Sequence, residues 1–286
     1  MFNADVLNNN YSLNGSDFKV WTPLESFSGI FDGKGYTISG LYSTRAYTVD
    51  AGFVVVLEKD GIIRNLNIED SYVEGSYTVG GLVGQCEGKI ENSSFEGFII
   101  SKTGTAEAGG IAGYSTKTAS VINCYSVGCI QIKDGIMAGI VGMDINTPIE
   151  NCYFSGALSS NSNTAKAYGI AQNGVGCKNC YFDTTKSGKI SGDGLVSKEC
   201  FGKTTSQFNS GELVQYLGEA YGQTVGKDAT PVIGGPEVFY GYKDCLSTEK
   251  NYGNEVRYEK PTDNHLSIDM NGFCEYCDGT QEGILN

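Results

Sequence analysis

The sequence predicts an all-β chain: a parallel β-helix of about six coils with a period of about 29 residues, closed by a small α+β segment and followed by a Cys/His tail. Three observations carry that prediction. A glycine step, G-(L/I/F)-(V/A), returns at Gly52, Gly81, Gly110, Gly139 and Gly169, at intervals of 29, 29, 29 and 30. An asparagine follows each step, at Asn65, Asn92, Asn123, Asn151 and Asn179, at intervals of 27, 31, 28 and 28. Between the markers apolar and polar residues alternate, as in Leu66-Asn67-Ile68-Glu69, which is the period of a strand and not of a helix. A coil of this length fits three short strands and three turns, and it buries its apolar side only against the next coil.

Bulk composition agrees. Of 286 residues, 40% are hydrophobic, enough for a core. Forty glycines against five prolines fall at repeat-fixed positions, where glycine supplies a positive φ or a close backbone approach. A net charge of −13 argues against nucleic acid and anionic bilayers as partners, because both need basic patches. No apolar run reaches the length of a membrane span, so direct insertion is not expected. The opening MFNADVLNNNYSLNG has neither the basic flank nor the apolar segment of a signal peptide, so signal and anchor segments are expected outside this chain.

The coil region is assigned to residues 1–183, counting GKGYTISGLY as the first coil. Its asparagines suit left-handed turn positions and, stacked coil on coil, can bond amide to amide. That makes them a structural ladder and not a site. The next column reads Leu66, Ser93, Cys124, Cys152 and Cys180. Because Leu66 occupies it, the column faces inward, and its cysteines form a buried stack of reduced thiols. The column after that reads Asn67, Ser94, Tyr125, Tyr153 and Tyr181. In register, Tyr125, Tyr153 and Tyr181 are expected as an outward, exposed stripe, a candidate surface for sugars, with packing against neighbouring structure as the alternative.

Residues 184–242 form the closing segment. A helix is predicted over 204–222, with Phe208, Leu213, Val214, Leu217 and Tyr221 on its apolar face and Gly222 as its stop. Its expected job is to cover the last coil, whose strand edges would otherwise invite sheet-to-sheet association. Residues 243–286 form an acidic tail in which Cys245, His265, Cys274 and Cys277 stand 20, 9 and 3 apart. A CxxC knuckle with a further thiolate and an imidazole favours a structural zinc. A Cys274–Cys277 redox pair and unliganded thiols remain the alternatives.

The unit GGLVGQCEGKIENSSFEG resembles the GLUG-motif repeat of bacterial surface proteins, and WTPLESFSGIFDGKGYTISGLY, residues 21–42, is similar to the lead-in that precedes such repeats. The likeness covers roughly residues 16–183. It implies a right-handed β-helix in a secreted or cell-surface protein. A GLUG-like region also accompanies streptococcal IgA1 metalloproteases, but their HExxH motif needs two histidines and this chain has one, His265.

The resulting expectation is a non-catalytic, adhesin-like module whose partners are glycans or surface proteins of a host or neighbouring cell. A passive stalk is the alternative. A β-helical polysaccharide-degrading enzyme is the third reading, since Glu69, Glu96 and Asp183 share one column, though Val127 and Ser155 interrupt it.

Overall fold

The structure, a computed structural model, describes residues 19–45, 50–102, 104–188, 199–236 and 238, together with the backbone strands Tyr240–Tyr242 and Val256–Tyr258. It divides into two units, one ending at Lys203 and one beginning at Thr204.

The first unit is a parallel β-solenoid with four sheets. Sheet A stacks Leu24–Phe27, Val54–Leu57, Val83–Cys86, Ala112–Ser115 and Val141–Asp144. Sheet B stacks Ile30–Asp32, Ile62–Arg64, Lys89–Glu91, Ser120–Ile122, Ile149–Glu150 and Cys177–Lys178. Sheet C carries the long strands Asn67–Glu74, Ser94–Ser101, Tyr125–Ile132 and Tyr153–Ser160, between Thr37–Ser39 with Tyr42–Thr44 at one end and Cys180–Asp183 at the other. Sheet D stacks Asp50–Ala51, Thr78–Gly80, Ala106–Gly109, Gly135–Ala138 and Lys166–Tyr168. The chain thus makes five four-strand coils and a partial sixth, with four strands per coil where the sequence suggested three. The extra corner lies at the glycine step: sheet D ends at Gly80 or Gly109, and sheet A begins at Val83 or Ala112.

The marker glycines make this corner possible by close approach. Gly110 has no positive φ; a Cβ there would run into the Gly139 carbonyl oxygen and the Ser126 side chain. The asparagines occupy the opposite kind of position. Asn65, Asn92, Asn123, Asn151 and Asn179 all have φ between 47° and 54°, the left-handed region that Asn tolerates better than other residues with a Cβ.

The interior is apolar along its length. Leu66, Ile68, Ile90, Phe95, Val121, Ile149 and Phe154 are each at most 1% exposed, and burial of such a side chain contributes about 1.5–3 kcal/mol. At the first coil Trp21 stacks on Phe53 with centroids 5.2 Å apart and donates its indole N–H to the Phe53 carbonyl at 3.2 Å. Phe31 meets the same ring edge-on.

An eighth strand, Cys200–Lys203, continues sheet C by pairing with Cys180–Asp183, so the coil unit runs past residue 183 to Lys203. In the second unit the expected single helix is two: α1, Thr205–Asn209, and α2, Glu212–Leu217. Thr204 and Gln207 form a reciprocal capping box on α1, and Gly211 at φ 86° breaks the run. The predicted apolar residues Phe208, Leu213, Val214, Leu217 and Tyr221 are all buried. Tyr221–Gly222 pairs antiparallel with Val232–Ile233.

Candidate functional site

The corner between sheets B and C holds a regular polar array. Asn92 donates its side-chain amide to Asn65 Oδ1 at 3.3 Å, Asn123 to Asn92 at 2.9 Å, Asn151 to Asn123 at 3.1 Å and Asn179 to Asn151 at 2.9 Å. Asn65 donates to Asp32 Oδ1 at 3.0 Å, and the Tyr181 hydroxyl donates to Asn179 Oδ1 at 2.6 Å. This is the ladder the spacing predicted. The Asn65 bond, the Lys34 backbone N–H and the Arg64 guanidinium hold the Asp32 carboxyl below its ordinary range.

The adjoining column, Leu66, Ser93, Cys124, Cys152 and Cys180, faces inward as expected, and each residue is at most 1% exposed. The cysteines are free thiols. Cys124, Cys152 and Cys180 donate to the carbonyls of Ile122, Glu150 and Lys178 at 3.2, 3.2 and 3.4 Å, as Ser93 donates to Glu91 at 2.8 Å. The thiols therefore repeat a hydroxyl's backbone contact inside an apolar core.

The tyrosine column is in register but is not an exposed stripe. Tyr125 pairs with Tyr153 and Tyr153 with Tyr181. The rings of Tyr125 and Tyr153 stack at 4.9 Å and 2°, so coil spacing itself closes one ring face on the next. Tyr153 is fully buried and Tyr181 nearly so; Tyr125 is half-buried. The accessible aromatic surface of the column lies at its ends. One end is Tyr125, beyond which stands Ser94. The other is Phe201, 44% exposed, which tilts against Tyr181 at 5.6 Å. Phe201 escaped the sequence reading because its strand follows Tyr181 by 20 residues and not by about 28.

The second half of sheet C is also covered on its outer side. Tyr42, Tyr72, Phe98, Ile100 and Cys129 form a buried cluster separate from the main core. Lys102 bridges to Glu74 at 2.8 Å beside it.

The acid column splits in two. Glu96 is exposed beside Glu69 and Asp70; partial desolvation raises its carboxyl above the ordinary range, and those two carboxylates raise it further against the partial offset of Lys186. Asp183 lies three coil steps away, past Val127 and Ser155, or about 14 Å at the spacing of strands. That exceeds the separation of about 6.5–9.5 Å used by an inverting glycosidase pair. Asp183 is fully buried and already accepts from the backbone of Thr185 and Lys186, so it holds a turn.

Cys245, His265, Cys274 and Cys277 lie outside the described residues. Among the described residues no group of three or more His, Cys, Asp or Glu side chains is arranged to hold a metal ion. Among the same residues no helix is long and apolar enough to cross a membrane.

No family model matches the chain. Halomucin from Haloquadratum walsbyi is 38% identical over 96 residues, which are 33% of this chain and 1% of halomucin. The match therefore spans a small part of a far longer protein. A solved structure from Bacteroides ovatus, named as a candidate immunoglobulin A1 protease, superposes with a TM-score of 0.59 at 17% identity, covering 76% of this chain and 82% of that one. At that identity the likeness establishes the shared β-solenoid fold alone.

Proposed function

We propose that the chain is a non-catalytic β-solenoid module of a secreted or cell-surface protein of the GLUG-repeat kind, and that its principal role is architectural. The observation that carries this reading is the polar ladder from Asp32 to Tyr181, which ties every coil to the next. Repetition of this kind extends and stiffens a chain, and it concentrates no chemistry at one point. The partial match to halomucin supports a surface setting.

An adhesin-like role, binding glycans or the surface proteins of a host or neighbouring cell, is the second reading. It is favoured by the exposed Phe201 and the half-buried Tyr125 at the two ends of the aromatic column. The rings between them, Tyr153 and Tyr181, are buried and offer no open face for a sugar to cover.

The test is a panel of plant, microbial and host polysaccharides and host surface proteins, read for bound protein and for newly released sugar ends. The architectural reading expects neither. Binding abolished by Phe201→Ala would replace it with the adhesive one. Release of sugar ends lost in Glu96→Gln would overturn both readings in favour of an enzyme.

A further inference from the structure

At the last coil the inward column and its neighbour become cysteine together. The column at the end of sheet B reads Ile63, Ile90, Val121, Ile149 and Cys177. The column opening sheet C reads Leu66, Ser93, Cys124, Cys152 and Cys180, and Cys200 extends it by one strand. In each coil the two columns meet across a left-handed asparagine, here Asn179 at φ 54°. That corner turns both side chains inward, so residues three apart converge. Earlier corners pair Ile90 with Ser93, Val121 with Cys124 and Ile149 with Cys152. In the partial sixth coil the pair is Cys177 and Cys180.

Contact follows from this placement. Cys177 and Cys180 both lie in the main core cluster with Cys200 packed against it, and Cys180 and Cys200 are register partners; Cys177 and Cys180 are close enough for each to shift the other's titration. Access is graded along the cluster: Cys180 is sealed, Cys177 is 7% exposed and Cys200 is half-buried. The buried stack of Cys124 and Cys152 leads only to the interior. The cluster is reached at the solenoid's last coil.

We propose that Cys177 and Cys180 form a thiol–disulfide redox site, oxidised by small disulfides. Cys177, the more exposed of the pair, attacks one sulfur of R–S–S–R as its thiolate, a minor form because its thiol neighbours and burial push its pKa up; the S–S bond breaks and releases one RS⁻. The Cys180 thiolate then attacks the Cys177 sulfur of the mixed disulfide, and the second RS⁻ leaves. The two protons shed by the protein thiols end on two RSH; the protein loses two electrons and the small disulfide gains them. The corner pair is favoured over Cys180–Cys200 because in-register neighbours on parallel strands hold their Cβ vectors side by side, a poor geometry for bridging.

Trypsin reads the outcome directly, because Lys178 lies between the two cysteines. The folded full chain, reduced and then incubated with oxidised glutathione, is quenched, alkylated and digested without reductant. The expected product is peptide 167–178 joined to peptide 179–186 and separated by dithiothreitol, with the link lost in both Cys177→Ser and Cys180→Ser. Recovery of all three peptides, 167–178, 179–186 and 199–203, in alkylated form would overturn the proposal. So would a dominant link from 179–186 to 199–203, or a stable glutathione adduct with no internal bond.

Discussion

The Asn65 side-chain amide donates to Asp32 Oδ1 at 3.0 Å, and this one contact anchors the whole asparagine ladder. An amide stack leaves an N–H unpaired at one end and a carbonyl oxygen at the other. Asp32, an acceptor, closes the first end; the Tyr181 hydroxyl, a donor, closes the second. Both terminating groups match the need of the end they occupy, so the ladder is complete within the coil unit.

The central rung separates backbone strain from bonding. Asn123→Ala removes two rung bonds and leaves an alanine at φ 52°; the expected loss is about 2–4 kcal/mol. Asn123→Gly loses the same bonds but accepts the backbone, and is expected to cost about 1–2 kcal/mol. Urea midpoints measure the order, and an alanine variant as stable as the glycine variant would contradict it.

Two carboxylates, the partly exposed Asp32 and the buried Asp144, predict opposite responses to pH. Asp32 is held low, chiefly by the Asn65 bond. Its stabilising contribution is present above the ordinary carboxylate value of about 3.9 and is lost as pH falls through its depressed folded value. Asp144 is fully buried with one oxygen unpartnered, and burial raises it against the bonds from Asn173 and Gly174. Its charged form is the disfavoured one, so stability is lost as pH rises through the raised value. In denaturation midpoints measured across pH, Asp32→Asn flattens the acid limb and Asp144→Asn flattens the decline above about pH 4.

Gly110→Ala tests the close approach at the glycine corner. With no room between the Gly139 carbonyl and the Ser126 side chain, the coil must shift, at an expected cost of about 3 kcal/mol or more. A melting temperature within about a degree of wild type, where a 1 kcal/mol change in a domain this size shifts it by about 2–4 °C, would show that the corner is slack.

Tyr153 is a core residue of the outer column. Tyr153→Ala is expected to lose about 3–5 kcal/mol, as for other large buried aromatics, while Tyr153→Phe keeps the stack on Tyr125 and most of the stability. Circular dichroism melts of the two variants check the contrast; an alanine variant with an unchanged melt would return the ring to the exposed role first expected of it.

What the sequence made legible follows from which rules are local. The asparagine column could be read because a left-handed corner restricts residue type wherever it recurs. The inward cysteines could be read because Leu66 set the phase of their column. The fate of Tyr153 could not, because alternation tells which side of a strand a residue takes and not whether that side is covered. The Ser210–Gly211 break inside the predicted helix was readable in principle, yet the apolar spacing of Leu213, Val214 and Leu217 spoke more loudly. Cys200 and Phe201 were hidden by their short interval, since a strand that joins the stack early falls out of any fixed period.

The most direct measurement of the account is hydrogen exchange of the full chain, wild type against Asn123→Ala. The backbone N–H groups of Asn92, Asn123 and Asn151 each bond to a neighbouring coil, at 3.0, 2.9 and 3.0 Å. If the coils act as one bonded column, losing the central rung lowers protection at Asn92 and Asn151 together with the altered corner. Loss confined to residue 123 and its immediate neighbours would contradict that claim and reduce the ladder to independent local contacts.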